Sequence, residues 1–83
     1  MVDKAFSAVI RRLRQERNIS QEKLALEAEL HRTYISQLER GLKSPSLKTV
    51  YKISKVLRTP LPELMVLILK EMKNLNPDSP SAK

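Results

Sequence analysis

Apolar residues recur at intervals of three and four along nearly the whole 83-residue chain, in short segments separated by turn-forming residues. In the first segment Phe6, Val9, Ile10 and Leu13 follow this spacing, which places them on one face of an α-helix. The chain has one glycine, two tyrosines and one phenylalanine, a composition that disfavours a strand-rich fold and an aromatic platform for single-stranded nucleic acid. We therefore predict an all-α fold, a compact bundle of short helices.

The residues between the apolar segments divide the chain into five predicted helices. Asn18 and Gly41 suit helix ends because both tolerate the left-handed conformation found there. Ser20 and Ser46 suit helix starts because a serine hydroxyl accepts a hydrogen bond from a free backbone amide. The predicted helices span about residues 4–17, 21–28 and 32–40, a segment after Ser46, and about 61–74. Residues predicted to face inward in the last two helices are Leu47, Val50, Ser54, Leu57, Leu61, Leu64, Met65, Ile68 and Met72.

Charge and cysteine content narrow the class of protein. Sixteen Lys and Arg against nine Asp and Glu give a net charge of +7, which favours a polyanionic partner, either nucleic acid or an acidic membrane surface. There is no cysteine, so disulfides and zinc-thiolate sites are excluded. The first residues have no signal-peptide core, and no apolar run approaches the ~20 residues of a membrane-spanning helix. We expect a soluble cytoplasmic protein.

The second and third predicted helices are joined by the tripeptide Glu29-Leu30-His31. Two short helices around such a turn suit DNA, because the second can enter the major groove while the first lies across the backbone. Small Ala25 lets the two helices approach each other. The residues predicted to pack between them are Leu24, Ala28, Leu30, Ile35 and Leu38. This arrangement predicts a helix-turn-helix.

The runs Ile19–Ala25 and Arg32–Gly41 resemble those of the Xre/Cro family of phage-repressor-type regulators, and the resemblance extends over roughly residues 6–72. Within the family, Arg32–Ser36 is especially similar to the controller proteins of restriction-modification systems. The sequence departs from the family at Glu29 and Asn18, where glycine is frequent. The resemblance implies a five-helix repressor-like domain over residues 1–75, and residues 76–83, rich in Pro and Ser, are predicted to be a disordered tail.

The resemblance also implies which residues contact DNA. The residues expected to read base edges are Arg32, Thr33, Ser36 and Gln37. Those expected to contact phosphate are Gln21, Tyr34, Arg40, Lys43, Ser44, Ser46 and Lys48. For Ser46 the alternative role is capping of the fourth helix, and for Tyr34 it is packing. For the base-reading residues the alternative is that they form a solvated helix face. Arg14 and Glu39 match a family pair that forms a partly buried salt bridge between the first helix and the recognition helix.

The fifth helix is more apolar than one small core requires, since Val66, Leu67 and Leu69 lie off its main stripe. A surplus of exposed apolar surface usually marks an interface. A symmetric dimer pairing two such helices would set the recognition helices about 34 Å apart, one turn of DNA. The alternative is that these residues complete the core of the monomer.

These features predict a homodimeric transcriptional regulator that binds a palindromic operator in double-stranded DNA. The alternative is an antitoxin-type module that binds a protein partner and regulates its own gene. A membrane-surface binder is disfavoured, because only Lys70 and Lys73 are basic in the fifth helix. An enzyme is disfavoured because His31 is the only histidine and there is no glycine-rich phosphate loop. We expect no cofactor, metal or small-molecule ligand.

Overall fold

The computed structural model describes residues 1–75, and the predicted tail at 76–83 lies outside the described residues. The described part of the chain is five α-helices with no strand, which confirms the predicted all-α fold. The helices are α1 (Val2–Glu16), α2 (Gln21–Ala28), α3 (Arg32–Glu39), α4 (Leu47–Val56) and α5 (Leu61–Leu75). The first helix begins earlier than predicted and therefore carries Asp3 in its first turn.

One apolar core joins all five helices. The α1 helix packs against α3 and α5, α2 packs against α3 and α4, and α4 also contacts α5. The largest fully buried side chains are Val9, Ile10, Leu24, Ile35, Leu38, Ile53, Leu57 and Leu64. Each such side chain contributes about 1.5–3 kcal/mol when it leaves water, so the core holds the helix-turn-helix on a rigid base.

Two of the residues predicted to face inward do not. Leu47 is 76% exposed, and Met65 is 44% exposed. The buried side of α4 carries Thr49 and Ile53, and Leu47 lies about 200° around the helix axis from Thr49 because each residue turns the helix by about 100°. Met65 is likewise rotated by about 100° from buried Leu64.

Serine hydroxyls begin α2 and α4 as predicted. The Lys23 amide donates to Ser20 Oγ at 2.9 Å, and the Thr49 amide donates to Ser46 Oγ at 3.1 Å. His31 occupies the N-cap position of α3, but its side chain makes no capping hydrogen bond. The start of α3 therefore depends on the turn that precedes it.

The first four helices all end in the same way, with a left-handed residue and two backbone hydrogen bonds that close the last turn. At the end of α2, for example, the Glu29 amide donates to Leu26 O at 3.2 Å and the Leu30 amide donates to Ala25 O at 2.8 Å. The left-handed residues are Asn18 (φ 56), Glu29 (φ 60), Gly41 (φ 72) and Arg58 (φ 54). One of them is glycine and asparagine tolerates this conformation, so the helix ends at Glu29 and Arg58 carry the steric strain of a Cβ, about 1–2 kcal/mol each.

Replacing Glu29 with glycine removes this strain from the turn between α2 and α3. We expect Glu29→Gly to raise the free energy of unfolding by about 0.5–1 kcal/mol, since part of the gain is offset by the greater freedom of glycine in the unfolded chain. The matched control is Glu27→Gly, which introduces glycine inside α2 and should lower stability by about 1 kcal/mol. Urea denaturation measures both. A loss of stability in Glu29→Gly would show that the glutamate side chain itself stabilises the turn.

Candidate nucleic-acid interface

The α3 helix has one buried face and one polar face. Ile35 and Leu38 are fully buried in the core. The predicted base-reading residues lie on the other side, Arg32 and Thr33 being exposed and Ser36 and Gln37 half-buried. Positions spaced by one, four and five residues form a single patch on a helix surface. Within residues 1–75 none of these four side chains makes a hydrogen bond, so the patch is available to a ligand.

A buried carboxylate fixes α3 to the two helices before it. Glu39 is only 2% exposed. Arg14 binds it through two hydrogen bonds, from Nε to Oε2 at 2.6 Å and from Nη2 to Oε1 at 3.0 Å. The remaining Arg14 nitrogen, Nη1, donates to Ile19 O at 2.9 Å. The pair implied by the family resemblance is thus present, and it is anchored in the backbone between α1 and α2.

Gln21 adds a third helix to this network. Its Nε2 donates to Glu39 Oε1 at 3.1 Å, so the first residue of α2 is tied to the last residue of α3. The side-chain amide nitrogen of glutamine carries two hydrogens, and only one of them is donated to Glu39. The second N–H, with the free backbone amides at the start of α2, can still donate to a phosphate. The sequence placed Gln21 near phosphate but carried no signal for its bond to Glu39.

The other residues predicted to contact phosphate fall into two groups. Arg40, Lys43 and Lys48 are exposed. The hydroxyls of Ser44 and Ser46 are already engaged, the first donating to Asp3 Oδ1 at 2.6 Å and the second to Thr49 Oγ1 at 3.1 Å. Tyr34 is half-buried and packs against the core, which agrees with the packing alternative.

The segment that follows α3 carries charge of one sign. Between residues 40 and 58 the sequence contains no acidic residue, and its basic residues are Arg40, Lys43, Lys48, Lys52, Lys55 and Arg58. The Lys55 ammonium lies 5.4 Å from the centre of the Tyr51 ring, a cation–π contact that draws it toward the protein. Exposed Lys48 is the lysine of α4 best placed for an external anion.

The exposed apolar face of α5 differs from the predicted one in one residue. Val66 is 49% exposed and Leu69 54% exposed, as an interface requires. Leu67, predicted with them, instead packs against the core, because it lies three positions after buried Leu64 and shares its side of the helix. Met65 takes its place on the exposed face. We call Met65, Val66 and Leu69 the α5 patch.

Residues 1–75 contain no group of three metal-ligating side chains close enough to hold an ion. No described helix is long and apolar enough to cross a membrane.

The burial of Glu39 predicts strong coupling with Arg14. Either single change, Arg14→Ala or Glu39→Gln, should lower the free energy of unfolding by about 3 kcal/mol, because it leaves the partner side chain buried without its hydrogen bonds. The double variant should lose less than the sum, and a urea denaturation cycle measures the difference. The pair Arg12–Glu71, at 3.5 Å with Arg12 48% exposed, is the control and should couple by less than about 1 kcal/mol. Additive losses for Arg14 and Glu39 would contradict the network.

The comparisons with known proteins agree with this geometry. Residues 10–64 match the helix-turn-helix family. The chain is 53% identical over 53 residues to the control protein C.BamHI of Bacillus amyloliquefaciens, an alignment that spans 63% of this chain and 65% of that protein. It is 40% identical over 67 residues to the control protein C.MunI of a Mycoplasma species, covering 80% of this chain and 90% of that one.

A solved structure adds the fold of a relative. The restriction-modification controller protein C.Esp1396I, a tetramer in complex with its natural 35 base-pair operator, superposes with a TM-score of 0.81 at 32% identity. The match covers 87% of this chain and 95% of that one. The chain therefore belongs to the helix-turn-helix family, as an Xre/Cro-type protein similar to the control proteins of restriction-modification systems.

Proposed function

We propose that this protein is a homodimeric transcriptional regulator that binds an operator in double-stranded DNA with α3 in the major groove. The observation that carries the proposal is the pairing of a polar, unbonded α3 face with a buried network that fixes the orientation of its helix. Side chains that read bases must be presented on a rigid element, because each base contact depends on hydrogen-bond geometry. The protein acts on DNA in the cytoplasm and has no catalytic step.

The polar face of α3 has the side-chain types that base reading requires. Arg32 can bind guanine O6 and N7 through two hydrogen bonds, and Gln37 can bind adenine in the same bidentate way. The Thr33 methyl can contact the methyl group of thymine. Around this face, Arg40, Lys43 and Lys48 supply positive charge for the DNA backbone. The free backbone amides at the N-termini of α2 and α4 supply neutral hydrogen-bond donors.

The relatives support the same function. Three curated proteins that this chain resembles are control proteins, and C.Esp1396I is described in complex with its operator. We carry operator binding over to this chain because its helices superpose on that protein over most of both lengths. We infer that this chain regulates transcription by occupying DNA, a role that requires no cofactor.

Arg32 and Lys48 are expected to respond differently to removal. Arg32→Ala should lose about 1–3 kcal/mol of affinity for a site selected from random DNA and much less for random-sequence duplex, because it reads a base. Lys48→Ala should weaken both complexes alike and reduce the slope of log affinity against log salt by about 0.9, because it neutralises one phosphate. Fluorescence anisotropy in a salt series measures both. Equal losses on the two duplexes for Arg32→Ala would rule out its reading role.

The α5 patch is the surface proposed for the second copy. Its three side chains are between 44% and 54% exposed although they are large and apolar. A two-fold axis through α5 would give two α3 helices and an inverted-repeat operator.

Leu69→Glu should separate the dimer, because it places an unpaired carboxylate in an apolar contact. The variant should keep its helical circular dichroism and lose operator affinity steeply, since the second half-site is no longer held by the same molecule. Leu26→Glu is the control, because Leu26 is 76% exposed on α2 and should leave the dimer intact. Analytical sedimentation at micromolar protein concentration distinguishes the dimer from the monomer. A monomeric wild type, or a Leu69→Glu variant that stays dimeric, would contradict the interface, and a small co-purifying protein would favour an antitoxin.

A further inference from the structure

The first turn of α1 lies against the segment that follows the recognition helix. A Cβ atom placed on Gly41 would be 3.7 Å from Lys4 Cγ and 3.7 Å from Ser7 Oγ. In the same segment, the Ser44 hydroxyl donates to Asp3 Oδ1 at 2.6 Å. The acidic side chain of Asp3 is therefore in direct contact with a segment expected to lie along the DNA backbone.

This bond changes what Ser44 can offer a phosphate. A serine hydroxyl has one hydrogen, and here a carboxylate accepts it in a short, charge-assisted bond. As long as this bond is intact, Ser44 presents only lone pairs to an approaching phosphate oxygen. The family resemblance implies that Ser44 contacts phosphate, and in the structure its hydroxyl hydrogen is already donated to Asp3.

The charge of Asp3 acts in the same direction. From residue 40 to residue 58 the chain has basic residues and no acidic one, so Asp3 brings a negative charge to a surface that is otherwise positive. Asp3 also lies in the first turn of α1, where a carboxylate is stabilised by the positive end of the helix. It therefore stabilises the fold and, by the same position, masks a helix end that would attract phosphate.

We propose that Asp3 limits the affinity of this protein for the DNA backbone, by holding the Ser44 hydroxyl and by placing negative charge beside it. The inference rests on the proposed DNA-binding function. Because phosphate contacts carry no sequence information, Asp3 lowers affinity for all duplexes by the same factor and leaves the choice of sequence unchanged.

Two variants separate the charge from the hydrogen bond. Asp3→Asn keeps an acceptor oxygen for Ser44 and removes the charge, whereas Asp3→Ala removes both. The probes are a 25 base-pair random-sequence duplex and a duplex selected by the wild type from a random pool. Binding to each probe is measured by fluorescence anisotropy at several salt concentrations. Glu63→Gln is the matched control, since Glu63 is an exposed acid in the first turn of α5.

We expect Asp3→Asn to bind both duplexes about two- to tenfold more tightly than wild type, and Asp3→Ala at least as tightly. Glu63→Gln should bind like the wild type. Ser44→Ala should remove part of the gain in affinity when it is combined with Asp3→Ala. Both Asp3 variants should unfold at lower urea concentration, so that stability and affinity change in opposite directions, which a purely structural role would not produce.

Unchanged or weaker binding by Asp3→Asn, when the wild type binds duplex DNA, would overturn this inference and leave the proposed function intact. A wild type that binds neither duplex would instead overturn the proposed function, and the role of Asp3 with it.

Discussion

The arrangement of the DNA-reading helix depends on one buried charge. The Glu39 carboxylate is 2% exposed, and a carboxylate in that position is tolerated only if it is paired and hydrogen-bonded. Arg14 from α1 and Gln21 from α2 provide those bonds, so the end of α3 is held by the two helices that precede it. A small shift of α3 would break several of these bonds at once. The network therefore limits the directions in which the face carrying Arg32 and Gln37 can point.

The same small domain tolerates strain elsewhere. Four helices end through left-handed residues, and three of these positions hold asparagine, glutamate or arginine instead of glycine. In a chain of 83 residues the core is small, and a net cost of about 1 kcal/mol at one turn is a substantial part of a total stability of about 5–15 kcal/mol. The turn at Glu29 joins the two helices of the helix-turn-helix, and backbone hydrogen bonds from the amides of Glu29 and Leu30 close it in its left-handed form.

Features set by local chemistry were predictable from the sequence, and features set by the phase of a helix or by distant contacts were not. The caps at Ser20 and Ser46 and the left-handed residues Asn18 and Gly41 follow from residue type and position. Leu47 and Met65 were misplaced because, at the end of a helix or beside an apolar neighbour, several rotations fit the same pattern. The bond between Asp3 and Ser44 joins residues 41 positions apart, and neither residue carries a local signal for the other. The Arg14–Glu39 pair, 25 positions apart, was expected only through the family resemblance.

We propose that α3 reads bases in the major groove at two related half-sites. Dimethyl sulfate protection on a duplex selected by the protein from random DNA tests this directly, because the reagent reports guanine N7 in the major groove and adenine N3 in the minor groove. We expect protected guanines in two half-sites, arranged as an inverted repeat, with centres about 10 base pairs apart. Protection confined to adenine N3, or a single protected segment without a repeat, would contradict it.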